Sequence, residues 1–169
     1  MDLLVTYDDE RDEYWRVRFG DLFGAEYDMV SPVVEAAGFD SIQDYYHWLL
    51  DIGLTQDVTV CVLLGPKTHA RRRVDWDIAA ALELLESRHP GLLAVRVPTH
   101  PDHGRSMANP RLLPPRLVDN LKSGYVKLYD WTEDAAEMAR RLHDAQQNAR
   151  HNAYMIVNKR PPMERDLGV

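Results

Sequence analysis

Apolar and polar positions divide the chain into five apolar runs separated by stretches of helical spacing. Leu3–Tyr7 is a short apolar run that ends in Asp8-Asp9-Glu10, the form of a strand leading into a turn. Tyr14, Val17, Arg18 and Leu22 then predict a first helix, closed by Gly24. Tyr27–Val34 predicts a second strand, and Pro32 puts it at an edge or strand end because proline cannot donate to a ladder. From Ser41 as N-cap, the residues Ile42, Tyr45, Tyr46, Leu49 and Leu50 predict a helix stopped at Gly53. Val58–Leu64 is an unbroken apolar run rich in β-branched residues, as expected of a strand covered on both faces. A helix from about Val74 carries Ile78, Ala81, Leu82 and Leu85 on one face, and Leu92–Val97 is a fourth strand. The Pro-, Gly-, His- and Asn-rich stretch His100–Pro115 reads as a surface loop, and Tyr125–Trp131 as a fifth strand. Thr132 caps a last helix running through Met138, Leu142, Ala145 and Ala149. Residues 1–150 are expected to form the domain, and residues 151–169, with Pro161-Pro162, an arm or disordered tail.

Strands alternating with helical patterns predict an α/β protein: a doubly wound, five-stranded parallel sheet with helices on both faces. A flavodoxin-like strand order, 2-1-3-4-5, places the ligand crevice between strands one and three, where the strand order reverses. Thr6–Glu10 then lie beside Gly65–Asp77.

Composition narrows the function classes. The chain of 169 residues is large enough for one well-buried core, and 45% hydrophobic with 28% charged residues is ordinary for a globular protein. A net charge of −7 argues against general binding of nucleic acid or an anionic membrane. The first residues lack the basic and long apolar segments of a signal peptide, and no run approaches the ~20 residues that span a bilayer. The expected location is the cytoplasm. Cys61 is the only cysteine and lies inside a strand, so it forms no intramolecular disulfide and reads as a small hydrophobe rather than a nucleophile.

The candidate chemistry clusters at one strand–helix junction. Gly65 and Thr68 shape a turn whose amides could face a ligand, and Arg71, Arg72 and Arg73 carry guanidinium forks suited to phosphate oxygens. Asp75 and Asp77 fall in the first turn of the next helix, and Thr6, Tyr7 and Asp8 end the first strand. Together these residue types suit an anionic, hydroxyl-rich ligand. The ordinary alternatives are a solvated arginine loop, carboxylates favoured by the helix macrodipole, and plain strand and turn residues. Asp75 is expected to be solvated. His100, Asp102 and His103 resemble metal ligands, but no second cluster completes a coordination set, so no metal is assigned. No P-loop, Gly-x-Gly-x-x-Gly or Gly-x-Ser-x-Gly pattern occurs in its required place.

The segment Val58–Ile78 resembles the central motif of bacterial TIR-like domains from Thoeris antiphage defence. That motif has an apolar strand, Ile/Leu-Gly, two variable residues, Thr, then Arg-Trp-Val and Glu-Ile. Leu3–Tyr7 with its acidic follow-on is similar to the family's first strand, and Pro114–Asn120 with Gly124–Trp131 to its close. The resemblance implies a flavodoxin-like TIR fold and an enzyme cleaving the nicotinamide–ribose bond of NAD. It also implies an ADP-ribose-derived messenger for a separate effector and action as a homo-oligomer with a composite site. NAD is then the substrate, with no other cofactor. Asp77 takes the position of the family's catalytic glutamate, and Thr6, Tyr7, Asp8, Gly65, Thr68, Arg71, Arg72 and Arg73 would bind substrate. Two positions depart from the motif: Asp77 replaces the glutamate and Arg73 the tryptophan. Aspartate is one methylene shorter, so its carboxylate retreats by roughly 1.5 Å, and a misplacement of about 1 Å can cost on the order of a hundredfold in rate. The alternative expectation is therefore a catalytically degenerate module that binds nucleotide or protein partners without cleaving NAD.

Overall fold

The computed structural model describes residues 2–30, 38–51, 58–83 and 89–168. Five strands run in chain order as β1 (Asp2–Thr6), β2 (Asp28–Val30), β3 (Thr59–Leu64), β4 (Gly91–Arg96) and β5 (Leu128–Asp130). All pair in parallel in the order β2-β1-β3-β4-β5, with Thr6 opposite Val62 and Leu64 opposite Arg96. This is the predicted α/β sheet, and its order reverses between β1 and β3.

Side-chain alternation sorts the strands onto two apolar layers, because successive residues of a strand point to opposite faces. Leu4, Val60, Val62, Leu64, Leu92 and Ala94 face one core, and Leu3, Val5, Cys61, Leu63, Leu93 and Val95 face the other. The first layer is covered by α2 (Ile42–Asp51), α3 (Arg72–Leu82) and α4 (Pro115–Ser123). The second is covered by α1 (Glu13–Phe23) and α5 (Ala135–His151). Burial on both sides explains the unbroken apolar run of β3.

Several expectations change in detail. The buried face of α1 is Phe19 and Phe23, whereas Tyr14 and Val17 are exposed. Leu50 is exposed on α2, whose Ser41 does cap it by accepting from the Asp44 amide at 3.2 Å. Helix α3 begins at Arg72, two residues ahead of Val74, so Asp77 lies in its second turn. The cap of α5 is Asp134, which accepts from the Glu137 amide at 3.0 Å; Thr132 accepts from the Asp134 amide instead. Helix α4 occupies a stretch for which the spacing predicts no helix, because its buried face carries the polar Arg116 and Asn120 beside Leu117 and Val118. Pro115 starts it and Gly124, at φ 83°, ends it. The His100–Pro115 stretch is tied inward by buried His100, Asp102 and Leu113 and is not a plain surface loop. Pro32, Gly53 and Leu85 lie outside the described residues. Residues 157–168 run back across α4 and the start of α3.

Candidate functional site

The carboxyl ends of β1 and β3 and the start of α3 bring Thr6 and Asp77 together. Thr6 Oγ1 donates to Asp77 Oδ2 at 2.5 Å, and the Tyr45 hydroxyl donates to Asp77 Oδ1. Asp77 is 1% exposed. Burial raises its pKa above the ordinary carboxylate value, opposed by the Arg73 charge and by the two hydroxyl donors. The Tyr45 phenol is likewise pushed far up, by its own burial and then by the Asp77 charge. Its ring sits among Phe39, Trp48 and Trp76 at centroid distances of 5.5, 5.7 and 5.5 Å. Of these four rings, Tyr45 and Trp48 come from α2 and Trp76 from α3.

The three arginines are held by protein oxygens rather than left as a solvated loop. Arg71 Nε donates to Asp8 Oδ1 at 2.8 Å, and the same guanidinium pairs with Glu10 and, at 3.0 Å, with Asp166. Arg72 Nη1 donates to the Glu164 carbonyl at 3.2 Å, and its guanidinium lies 4.6 Å from the centre of the Trp76 ring. Arg73 Nη2 donates to the Tyr7 carbonyl at 2.7 Å and pairs with Asp9 at 3.6 Å. Arg73, standing where the motif has tryptophan, therefore clasps the end of β1. Tyr7 is buried and its hydroxyl donates to Glu13 Oε2 at 2.5 Å.

Beside this lies a second buried carboxylate, Asp12. The Gly65 amide donates to Thr68 Oγ1 at 2.8 Å, and Thr68 Oγ1 donates to Asp12 Oδ2 at 3.3 Å. A Cβ at Gly65 would fall on the Asp12 carboxylate, so only glycine permits this approach. Burial and the neighbouring Asp8 charge raise the Asp12 pKa to about 6. Thr68 and Gly65 therefore serve the contact with α1, and Asp8 is fully buried against Arg71 and, at 3.3 Å, Arg11.

Asp75, expected to be solvated, is instead 3% exposed. Arg116 Nε and Nη2 donate to its two oxygens at 3.0 and 3.3 Å. The remaining Arg116 donors go to Asn158 Oδ1 and to the Arg160 and Pro161 carbonyls, while Asp75 Oδ2 also accepts from the Met163 amide at 2.9 Å. His100 Nδ1 accepts from the Asp102 amide, and Asp102 Oδ2 accepts from the Asn109 amide, so both shape their own loop. Among the described residues no group of three or more His, Cys, Asp or Glu is placed to hold a metal ion. Cys61 is buried and its thiol is pushed up to about 12, which leaves it inert.

Sequence reasoning missed Tyr45, Asp12 and Arg116. Each carried a weak signal: a tyrosine on an apolar helix face needs a hydroxyl partner once buried, and so does an arginine between Pro115 and Leu117. Asp12 stands where an N-cap is expected, yet its side chain makes no cap bond.

The family model described as Thoeris protein ThsB, TIR-like domain, matches residues 6–102, which include Thr6, the β3 strand, the arginines and Asp77. No curated protein and no solved structure matches the chain.

Proposed function

The chain belongs to the Thoeris ThsB TIR-like domain family, and from that premise we propose that it cleaves NAD at the nicotinamide–ribose bond in antiphage defence signalling. The observation that carries this reading is the buried Asp77 carboxylate with its raised pKa at the point where the strand order reverses. Nicotinamide leaves with the bonding electron pair, and positive charge develops on the ribose ring. A carboxylate in a site shielded from water stabilises that charge far more than one in bulk solvent. Water or another hydroxyl then adds at the anomeric carbon and loses its proton.

Thr6 and Tyr45 donate to the two Asp77 oxygens. Ribose presents hydroxyls of the same chemistry. Substrate binding would exchange the Tyr45 hydroxyl for a sugar hydroxyl at the same carboxylate oxygen. Cytoplasmic NAD, a second copy of the chain and a messenger-responsive effector complete the proposed setting.

The second reading is a module that binds nucleotide or protein partners without cleavage. It is favoured by the near-complete burial of Asp77 and by the missing methylene. Nicotinamide release from NAD separates the two. The enzyme reading expects release by the natural chain and a loss of about a hundredfold or more in Asp77→Ala. Silence of both, with activity gained in Asp77→Glu, would establish the non-cleaving module.

A further inference from the structure

Residues 157–168 fall into two parts with different attachments. The first, up to Met163, is built into the body. Val157 exchanges two hydrogen bonds with the Asn120 side chain, and Arg116 holds Asn158, Arg160 and Pro161. Met163 gives its amide to Asp75 and its carbonyl to the Trp76 indole at 2.8 Å. Without this part, buried Arg116 and Asp75 would lose several of their partners.

The second part, Glu164–Gly168, is exposed along its length and touches the body through polar groups of the basic loop. Asp166 Oδ1 accepts from the Arg72 amide at 2.7 Å, and Asp166 Oδ2 accepts from Arg71 Nη1 at 3.0 Å. The Glu164 carbonyl accepts from Arg72, and the Leu167 amide donates to the Ala70 carbonyl at 2.9 Å. Leu167 itself is 50% exposed, so no apolar anchor fixes this end. An intramolecular carboxylate thereby sits at the first residue of α3 and on its neighbouring arginine.

Arg71 has more counter-charge than it needs. Asp8, Glu10 and Asp166 all pair with one guanidinium. Asp8 is fully buried and cannot leave, whereas Glu10 and Asp166 are both exposed, and of these two Asp166 is the one that also holds the Arg72 amide. A second anion reaching Arg71 would meet like charge unless an acidic group withdrew.

Resting on the proposed dinucleotide site, we propose that Glu164–Gly168 is an autoinhibitory strap: Asp166 occupies the contacts an incoming diphosphate would take, and that ligand displaces it. The segment up to Met163 is the fixed hinge point. A diphosphate carries more charge than one carboxylate and can engage Arg71 and the Arg72 amide together, so it competes for both contacts at once.

The test uses the full chain and Asp166→Asn, an exposed change that leaves the Arg116 anchor intact. Inorganic pyrophosphate and NAD are titrated separately by calorimetry, and amide hydrogen exchange is followed at Leu167, Val157 and Met163. The strap expects Asp166→Asn to bind both probes at least fivefold more tightly than the natural chain. It also expects either probe to speed exchange at Leu167 while Val157 and Met163 stay protected. Equal affinities in the two proteins, or a Leu167 amide that stays protected with ligand bound, overturn the strap; NAD binding or cleavage would then leave the functional reading standing. Tighter pyrophosphate binding by Asp166→Asn without any binding or cleavage of NAD keeps the strap and overturns the functional reading. Failure of both proteins to bind either probe overturns both.

Discussion

Asp75 and Asp77 stand two residues apart on α3, each no more than 3% exposed, and their surroundings are opposite. Asp75 faces α4 and meets a guanidinium through both oxygens, with a backbone amide beside it. Asp77 faces β1 and α2 and accepts from two neutral hydroxyls, with the Arg73 charge nearby. An acid matched by a buried cation is fixed in place, and an acid held by hydroxyls keeps a pKa that its environment can move. The first arrangement suits structure and the second suits a site. The helix thus turns one carboxylate to each purpose.

The comparison breaks most visibly at Arg116. Arg116→Ala leaves Asp75 buried without its counter-charge and deprives Asn158, Arg160 and Pro161 of a donor. A loss of about 3–5 kcal/mol is expected in denaturant unfolding. A change below about 1 kcal/mol would mean that Asp75 is not held as described.

Next in size is Asp12, a buried carboxylate whose charged neighbours include another acid, Asp8. Its folded pKa of about 6 lies above its ordinary value, so the folded state holds the proton more tightly than the unfolded chain. Its contribution to stability is therefore full at low pH and is lost as pH rises from about 4 through about 6, by at most about 3 kcal/mol. Asp12→Asn keeps the shape and removes the titration. Its thermal midpoint, relative to the natural chain, should be higher at pH 7.5 than at pH 4.5; a pH-independent difference would contradict the assignment.

The smallest effect is expected at Tyr45→Phe. Removing one donor from a buried carboxylate costs about 1–2 kcal/mol and raises the Asp77 pKa further. Unfolding midpoints from pH 5 to 8 should therefore follow a different pH dependence in Tyr45→Phe than in the natural chain. Adding Asp77→Asn to both proteins should abolish that difference. Its persistence would place the titrating group elsewhere.

Much of the layout is legible along the chain because burial imposes a period. Val58–Leu64 announces a doubly covered strand, and Met138, Leu142, Ala145 and Ala149 announce the buried stripe of α5. The buried face of the first helix is not legible, since Tyr14 and Val17 satisfy a helical spacing that Phe19 and Phe23 satisfy as well, and spacing alone does not choose between them. Helix α4 is hidden because Arg116 and Asn120 interrupt its apolar pattern, and their burial depends on residues some forty positions later. At the candidate site the sequence places Thr6 and Asp77 in one crevice. It does not reveal Tyr45, whose hydroxyl comes from another helix, or Asp166, whose carboxylate returns from the far end of the chain.

The sequence by itself determined the α/β class, the parallel pairing implied by alternating elements, and the family, since local periodicity and a contiguous motif carry all three. Only the tertiary structure decided which carboxylate meets a cation and which meets hydroxyls. It also decided that the three arginines are occupied by protein oxygens and that residues 164–168 lie on the basic loop. Those outcomes depend on distances between side chains far apart in sequence, where a charge's partner and its exposure to water are set by the fold and not by its neighbours along the chain.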